Sequence, residues 1–195
     1  MKLKIAIMSL LTSILMSAAS IDYLSNNSAA YFQNPSQTGK ISVEGVFYNP
    51  AGTAFLEDGI YLNMNMQNSL IEESMTLKGK KYKSSNYAGA PSFNFLYKKD
   101  NFSLFGNASV VAGGATLKYK DGVAGIALAA DTFNQLTGGS LGATVTSNNF
   151  KGQNRYYQLI LGGAYKVNEQ FAISGGLRYV LGVRKLKGTA GYSYN

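Results

Sequence analysis

The stretch YYQLILGGAYKVNEQFAISGGLRYVLGVR, residues 156–184, holds two alternating patterns of side chains joined by a short polar turn. In the first pattern the two faces are Tyr157, Leu159, Leu161, Gly163 and Tyr165 against Tyr156, Gln158, Ile160, Gly162 and Ala164. In the second pattern an unbroken apolar face lies opposite small residues and two arginines, Arg178 and Arg184. Because successive side chains of a strand point to opposite faces, this period of two predicts an antiparallel hairpin.

The same period recurs over residues 60–67, 91–97 and 102–110, so the sequence predicts five strands and an all-β fold. The apolar faces carry aromatic rings near their ends, as at Tyr157 and Tyr165. Eight residues at ~3.3 Å each, tilted by ~40°, separate these rings by roughly 20 Å along a membrane normal, close to the height of a barrel's apolar band. A soluble sandwich also alternates, but the small and polar opposite faces suit the wet or ligand-filled lumen of a transmembrane antiparallel β-barrel.

The connections between these strands alternate in length. Residues 98–101 and 167–170 are tight turns, whereas 71–87 and 118–154 are long. Outer-membrane barrels have short periplasmic turns and longer extracellular loops, so we expect the start of the first strand on the periplasmic side. The second long connection is unusually apolar over residues 123–130 and includes Phe133. It predicts a short helix, in a loop that either folds back on itself or receives an apolar ligand.

The N terminus predicts export to the outer membrane of a Gram-negative cell. Residues 1–19 form a signal peptide with a basic start, a short apolar run and small residues at the end, and we expect cleavage after Ala19 or Ser20. Charged residues make up only 14% of the chain, Gly numbers 22, and Tyr and Phe together number 24. Low charge, many glycines and aromatics, and no apolar run long enough for a spanning helix are typical of membrane barrels.

Composition also excludes several classes of function. The chain has no His and no Cys, which removes Ser-His and Cys-His catalysis and most zinc sites, so we expect neither an enzyme nor a cofactor. The net charge of +8 falls to +6 without Lys2 and Lys4, and Lys outnumbers Arg by 15 to 3, which argues against a nucleic-acid partner. The densest basic cluster is Lys78, Lys80, Lys81 and Lys83. This cluster is either a solvated loop or a contact with lipopolysaccharide phosphates.

Residues 20–59 lack strand patterning and contain VFYNPAGTAFLEDG, residues 46–59. Pro50 fixes a turn with Asn49, and Ala51 and Gly52 permit close approach of the backbone. This stretch resembles the hatch of the FadL/TodX family of outer-membrane transporters for long-chain fatty acids and aromatic hydrocarbons. The resemblance continues at residues 90–95 and 161–167 and covers most of the chain after the signal peptide.

The resemblance implies a barrel of about 14 strands, of which residues 60–195 form the first part. It implies that residues 20–59 plug the lumen as a hatch with Asn49, Pro50, Ala51 and Gly52 as its motif. It also implies a kinked third strand, placed here at Ala112, Gly113 and Gly114, with a lateral gap through which hydrophobic compounds diffuse passively into the membrane. Gly inside a strand marks a bulge or bend, which agrees with this expectation.

The predicted register also gives the orientation of two arginines. Arg178 and Arg184 point into the lumen, where they are either partners of a ligand carboxylate or ordinary lumenal charges. Five strands with open edges do not survive in lipid, so we expect a partial barrel. The alternative is a complete small barrel of about 8 strands with a structural or adhesin role, which requires more strands within 71–87 and 118–154 and leaves the plug unexplained.

Overall fold

The computed structural model describes residues 28–113 and 116–194, so the predicted signal peptide and Gly114 lie outside the described residues. The N-terminal segment, residues 28–58, contains two short helices and a 3-10 helix. Their bounds are α1 (Ala29–Gln33), α2 (Gly45–Tyr48) and η1 (Pro50–Phe55). The strands and the remaining helix follow in the order β1 (Gly59–Leu77), β2 (Lys80–Lys99), β3 (Phe102–Gly113), β4 (Leu117–Tyr119), α3 (Ala124–Leu136), β5 (Thr144–Lys166) and β6 (Ala172–Ser193).

All six strands form one antiparallel sheet, which confirms the all-β prediction. The spatial order is β1-β2-β3-β5, with β6 on the far side of β5. The short strand β4 pairs with β5 over residues 117–119, beyond the point where β3 stops pairing with it. Among the described residues, no helix is long and apolar enough to cross a membrane.

The two faces of the sheet differ sharply in polarity, as the alternation predicts. The outward face exposes large apolar side chains, including Met64 at 79% and Leu177 at 83%. The inward face of β2, β3 and β5 buries polar side chains, including Asn94 at 0% and Asn107 at 1%. A soluble protein usually exposes polar groups, so an exposed apolar face backed by buried amides is inverted relative to a sheet built for water. The buried apolar side chains of the inward face lie together under the N-terminal segment.

An apolar cluster fixes the N-terminal segment to the inward face near the turns that join β2 to β3 and β5 to β6. Its buried members are Val46, Ala54, Leu96, Phe105, Ile160 and Ala164. Two of them come from the segment and four come from three neighbouring strands. Burial of such side chains contributes roughly 1.5–3 kcal/mol each for the larger ones, so the cluster holds the segment against the sheet.

The predicted long connection over residues 71–87 is wrong. β1 and β2 remain paired up to Leu77 and Lys80, and only Lys78 and Gly79 lie between them. Both have positive φ, 47° and 79°, as a two-residue hairpin turn requires. The extension carries polar side chains on both faces, such as Glu72 and Glu73, so no period of two was visible in the sequence.

The predicted connection over residues 118–154 is also too long. The short helix expected there is confirmed as α3, but β5 already begins at Thr144, and β4 is a sixth strand where the sequence predicted five. The first half of β5 is rich in Asn, Ser and Thr. Ladder pairing with β6 from Thr144 onward, rather than an apolar face, makes it a strand.

Candidate functional site

The Asn-Pro-Ala-Gly motif builds the tight turn that opens η1. The Gly52 backbone N–H donates to Asn49 Oδ1 at 3.1 Å, so Asn49 caps the helix. Pro50 occupies the first position of the helix, where a backbone N–H would have no partner within the helix. Ala51 is half-buried in the same turn. A Cβ on Gly52 would lie 2.5 Å from Asn49 Nδ2, so the cap leaves room only for glycine.

The turn places Thr53 against the polar inward face of the sheet. Thr53 Oγ1 donates to the Pro50 carbonyl at 2.7 Å, and therefore accepts from Ser103 Oγ, also 2.7 Å away. Both hydroxyls are fully buried. Ala54, next in the chain, is equally buried in the apolar cluster. The segment thus contacts the inward face of the sheet through the hydroxyl of Thr53 and the apolar side chain of Ala54.

A carboxylate clamp holds the end of the segment to the turn between β2 and β3. Asp58 Oδ1 accepts from Lys98 Nζ at 3.0 Å, and Asp58 Oδ2 accepts from the Asp100 backbone N–H at 3.0 Å. The ammonium of Lys98 also donates to the Asp100 carbonyl. The hydrogen bond from the Asp100 N–H, followed by that from Lys98, lowers the pKa of Asp58 below its ordinary value of 3.8. The sequence analysis did not identify this clamp.

A chain of side-chain amides crosses the inward face over four neighbouring strands. Gln158 Nε2 and Ser109 Oγ donate to Asn107 Oδ1 at 2.9 and 2.8 Å. Asn107 Nδ2 donates to Asn94 Oδ1 at 2.8 Å, and Asn94 Nδ2 donates to Asn63 Oδ1 at 3.0 Å. We call Asn63, Asn94, Asn107 and Gln158 the amide ladder. The period of two predicts Gln158 on the face opposite Tyr157, but it does not predict these contacts.

The strand pairing of β3 changes near Ala112 and Gly113, where the kink was predicted. The β2–β3 ladder ends at the pair Ser92–Ser109, although β3 continues against β5 to Gly113. A bulge interrupts the β3–β5 register between Val110 and Ala112. Gly113 has φ +98°, and a Cβ there would lie 2.3 Å from the Asn154 carbonyl oxygen, so the bend requires glycine.

Beyond this bend, β4 replaces β3 as the neighbour of β5. The Lys118 backbone N–H donates to Ser84 Oγ of β2 at 2.8 Å. Among the described residues, β2 has no ladder partner on this side from Pro91 back to its start. Pro91 has no N–H to donate, which suits the end of a ladder. We call this break in the β2–β3 ladder, between Pro91 and the Lys118–Ser84 contact, the lateral gap.

The two arginines of β6 occupy different surroundings. The Arg178 guanidinium carbon lies 5.1 Å from the centre of the Phe47 ring, a cation–π contact with the N-terminal segment. Arg184 pairs in register with Asn154, nearer the lateral gap. Six residues of strand separate the two arginines by roughly 20 Å, so the structure does not bring them together around one carboxylate.

Helix α3 lies at the opposite end of the sheet from the N-terminal segment. Asn148 anchors its start, accepting from the Val123 N–H at 2.8 Å and donating to the Val123 carbonyl at 3.0 Å. Tyr192 of β6 donates to the Ile126 carbonyl at 3.2 Å, and Lys78 of the β1–β2 turn pairs with Asp131 at 2.9 Å. These contacts hold an apolar helix between the two edges of the sheet.

These features together describe a sheet with an apolar outward face, a polar inward face covered at one end by the N-terminal segment, and a break in its third strand line. The apolar helix lies at the other end. Comparisons of the chain with protein-family models, with curated proteins and with solved structures find no match.

Proposed function

We propose that the chain forms the first strands of an outer-membrane β-barrel and that the N-terminal segment is its hatch. The inverted burial of the sheet carries this proposal. Lipid-facing strands alternate apolar side chains outward with polar side chains inward, and the amide ladder lies on the inward side. An apolar surface of this extent on a protein marks contact with a membrane or a partner.

The free edges of the sheet suit a barrel with further strands. Within the described residues, β1 pairs only with β2 and β6 pairs only with β5. Hydrocarbon offers no hydrogen bonds to an unpaired strand edge, so both edges require partners in a bilayer. Under the proposal, additional strands close the barrel, to about 14 as in the FadL/TodX family that the chain resembles.

The proposed activity is passive transport of hydrophobic compounds such as long-chain fatty acids. An apolar ligand lands at α3, enters above the hatch, and leaves through the lateral gap into the membrane. A route into lipid conserves the ~0.8 kcal/mol that each CH₂ gains on leaving water, so the transfer needs no energy source. Arg184, which has no ion-pair partner among the described residues, is the candidate contact for a ligand carboxylate.

The lateral gap can be closed chemically because the chain contains no cysteine. The double variant Pro91→Cys/Val110→Cys places one thiol on each side of the gap, one step beyond the last ladder pair. The matched control is Phe93→Cys/Ala108→Cys, whose residues are register partners inside the closed ladder. Both pairs are bridged with a short bifunctional thiol reagent in cells that lack their own fatty-acid transporter, and uptake of labelled oleate is measured.

We expect uptake with the unbridged proteins, a loss of at least tenfold when 91 and 110 are bridged, and no change when 93 and 108 are bridged. Equal uptake through the bridged gap would exclude lateral exit. No uptake from a well-assembled protein would leave the alternative, a structural or adhesin-type barrel without transport. In the two stretches where this alternative requires more strands, the described residues add only the short strand β4. A heat-resistant folded band of the 195-residue chain on a gel would support the alternative.

A further inference from the structure

Three lysines form a row across neighbouring strands of the outward face. Lys118 of β4 is the direct register partner of Lys151 of β5, and Lys151 is the direct partner of Lys187 of β6. All three side chains are exposed. Like charges directly opposite each other in a sheet are destabilising, so this arrangement is unfavourable unless an anion occupies it.

The row lines a shallow groove of about 400 Å³. Lys120, Asn149 and Thr189 lie on the same face and also line the groove, together with Tyr119, Phe150 and Gly188. Within residues 28–113 and 116–194, none of the groove's lysines forms an ion pair with a carboxylate, whereas Lys78, Lys83, Lys98 and Lys166 each do. The groove therefore combines uncompensated positive charge with neutral donors at its edge.

The position of the groove relative to the apolar band identifies the surroundings of its ligand. Lys151 shares the outward face with Tyr157 and Leu159 and lies six residues from Tyr157. At ~3.3 Å per residue and a tilt of ~40°, the row is roughly 15 Å beyond that ring along the membrane normal. This is the end of the sheet that carries α3, so a barrel embedded by its apolar band would present the row to the polar layer outside the acyl chains of the outer leaflet.

We infer that this lysine row binds phosphate groups of lipopolysaccharide in the outer leaflet, an inference that rests on the proposed function. Ammonium groups bind phosphate as point charges, and three of them spaced ~4.8 Å apart match a ligand with more than one negative charge. Continuity with the exposed outward face favours a lipid, because the lysine row lies on the same face of β5 as the apolar side chains Leu159 and Leu161. Nucleic acid is disfavoured because Lys outnumbers Arg by 15 to 3 in this chain.

The test uses the intact protein, including the strands that close the barrel under the proposed function, in micelles of an uncharged maltoside detergent. Diphosphoryl lipid A is titrated against the wild type, the triple variant Lys118→Gln/Lys151→Gln/Lys187→Gln and the control Lys40→Gln/Lys99→Gln/Lys166→Gln. The control removes the same charge from the N-terminal segment and from the opposite end of the sheet. We expect the first triple variant to bind at least tenfold more weakly and the control to bind within twofold of the wild type. Added salt weakens wild-type binding.

Stability without lipid separates lost binding from misfolding. The urea midpoint of the triple variant should equal or exceed that of the wild type, because the substitutions remove repulsion between direct partners. Equal lipid affinity of both triple variants, or equal affinity for a lipid A analogue without phosphates, would overturn the inference. If inorganic phosphate binds as tightly as lipid A, the site recognises free phosphate, and the assignment of a lipid ligand is wrong.

The lipid titration is independent of uptake, so the two proposals fail separately. Lipid binding at the row without oleate uptake would remove the transport proposal and retain the site. Uptake with unchanged lipid affinity in the triple variant would remove only the site.

Discussion

Thr53 and Ser103 place their hydroxyl oxygens 2.7 Å apart, with no exposure of either residue, although 50 residues separate them in the chain. This contact joins the N-terminal segment to the third strand. Removing one partner leaves a buried hydroxyl without its hydrogen bond, which costs ~1–3 kcal/mol. We predict that Thr53→Val and Ser103→Ala each lower the free energy of unfolding by about that amount and that the double variant costs less than their sum. Urea unfolding in micelles measures the cycle, and additive losses would contradict a direct bond.

The amide ladder predicts a strong effect at its centre. Asn107→Leu keeps the volume but removes the hydrogen bonds that Asn107 makes with Asn94 Oδ1, Ser109 Oγ and Gln158 Nε2, at ~1–3 kcal/mol for each buried group left unpaired. Asn68→Leu is the control, since Asn68 is exposed on β1. The urea midpoint should fall for Asn107→Leu and stay within error for Asn68→Leu. Equal midpoints would show that the ladder contributes nothing to stability.

Gly52 should tolerate no side chain. The Cβ of Gly52→Ala would lie 2.5 Å from Asn49 Nδ2, so the cap must open, at a cost of ~1 kcal/mol. Gly39→Ala is the control because no atom lies within 4 Å of its added Cβ. Limited proteolysis of the N-terminal segment should accelerate in the first variant only. Equal cleavage rates in the two variants would show that the Asn-Pro-Ala-Gly turn does not require glycine at position 52.

The clamp at Asp58 predicts a pH dependence in acid. The pKa of Asp58 is lowered in the folded chain by the Asp100 N–H and by Lys98, so the ionised carboxylate favours the folded state. Its stabilisation is complete above the ordinary value of 3.8 and is lost as the pH falls through the lower folded value. Asp58→Asn should therefore be less stable than the wild type at pH 7, and the difference should vanish at strongly acidic pH. Thermal unfolding across this range measures it, and a constant difference would contradict the clamp.

Strands with one buried face and one exposed face were predictable from the sequence. Residues 156–165 alternate clearly because their two faces meet different surroundings, and such a strand has a strongly specified register. Where both faces are polar, as at Glu72 and Glu73 or in the first half of β5, no period remains and the strand was read as a loop. Only ladder pairing reveals it.

The parts of the site were predictable in different degrees. The turn at Asn49 and the bend at Gly113 follow from residue types with restricted or exceptional backbone conformations. The amide ladder depends on register, which brings Asn63 opposite Asn94, and a single sequence does not supply that pairing. The lysine row was missed for the same reason, since Lys118 and Lys151 are far apart in the chain and become neighbours only through β4.

The central claim is that the outward face of the sheet contacts lipid and the inward face does not. Single cysteines at Gln158, Leu159, Ile160 and Leu161 accept a nitroxide label, because the chain has no other thiol. In outer-membrane vesicles, the account predicts high exposure to oxygen and low exposure to a water-soluble nickel chelate at 159 and 161, with little exposure to either at 158 and 160. Free access of the nickel chelate to 159 and 161, or no period of two, would contradict it.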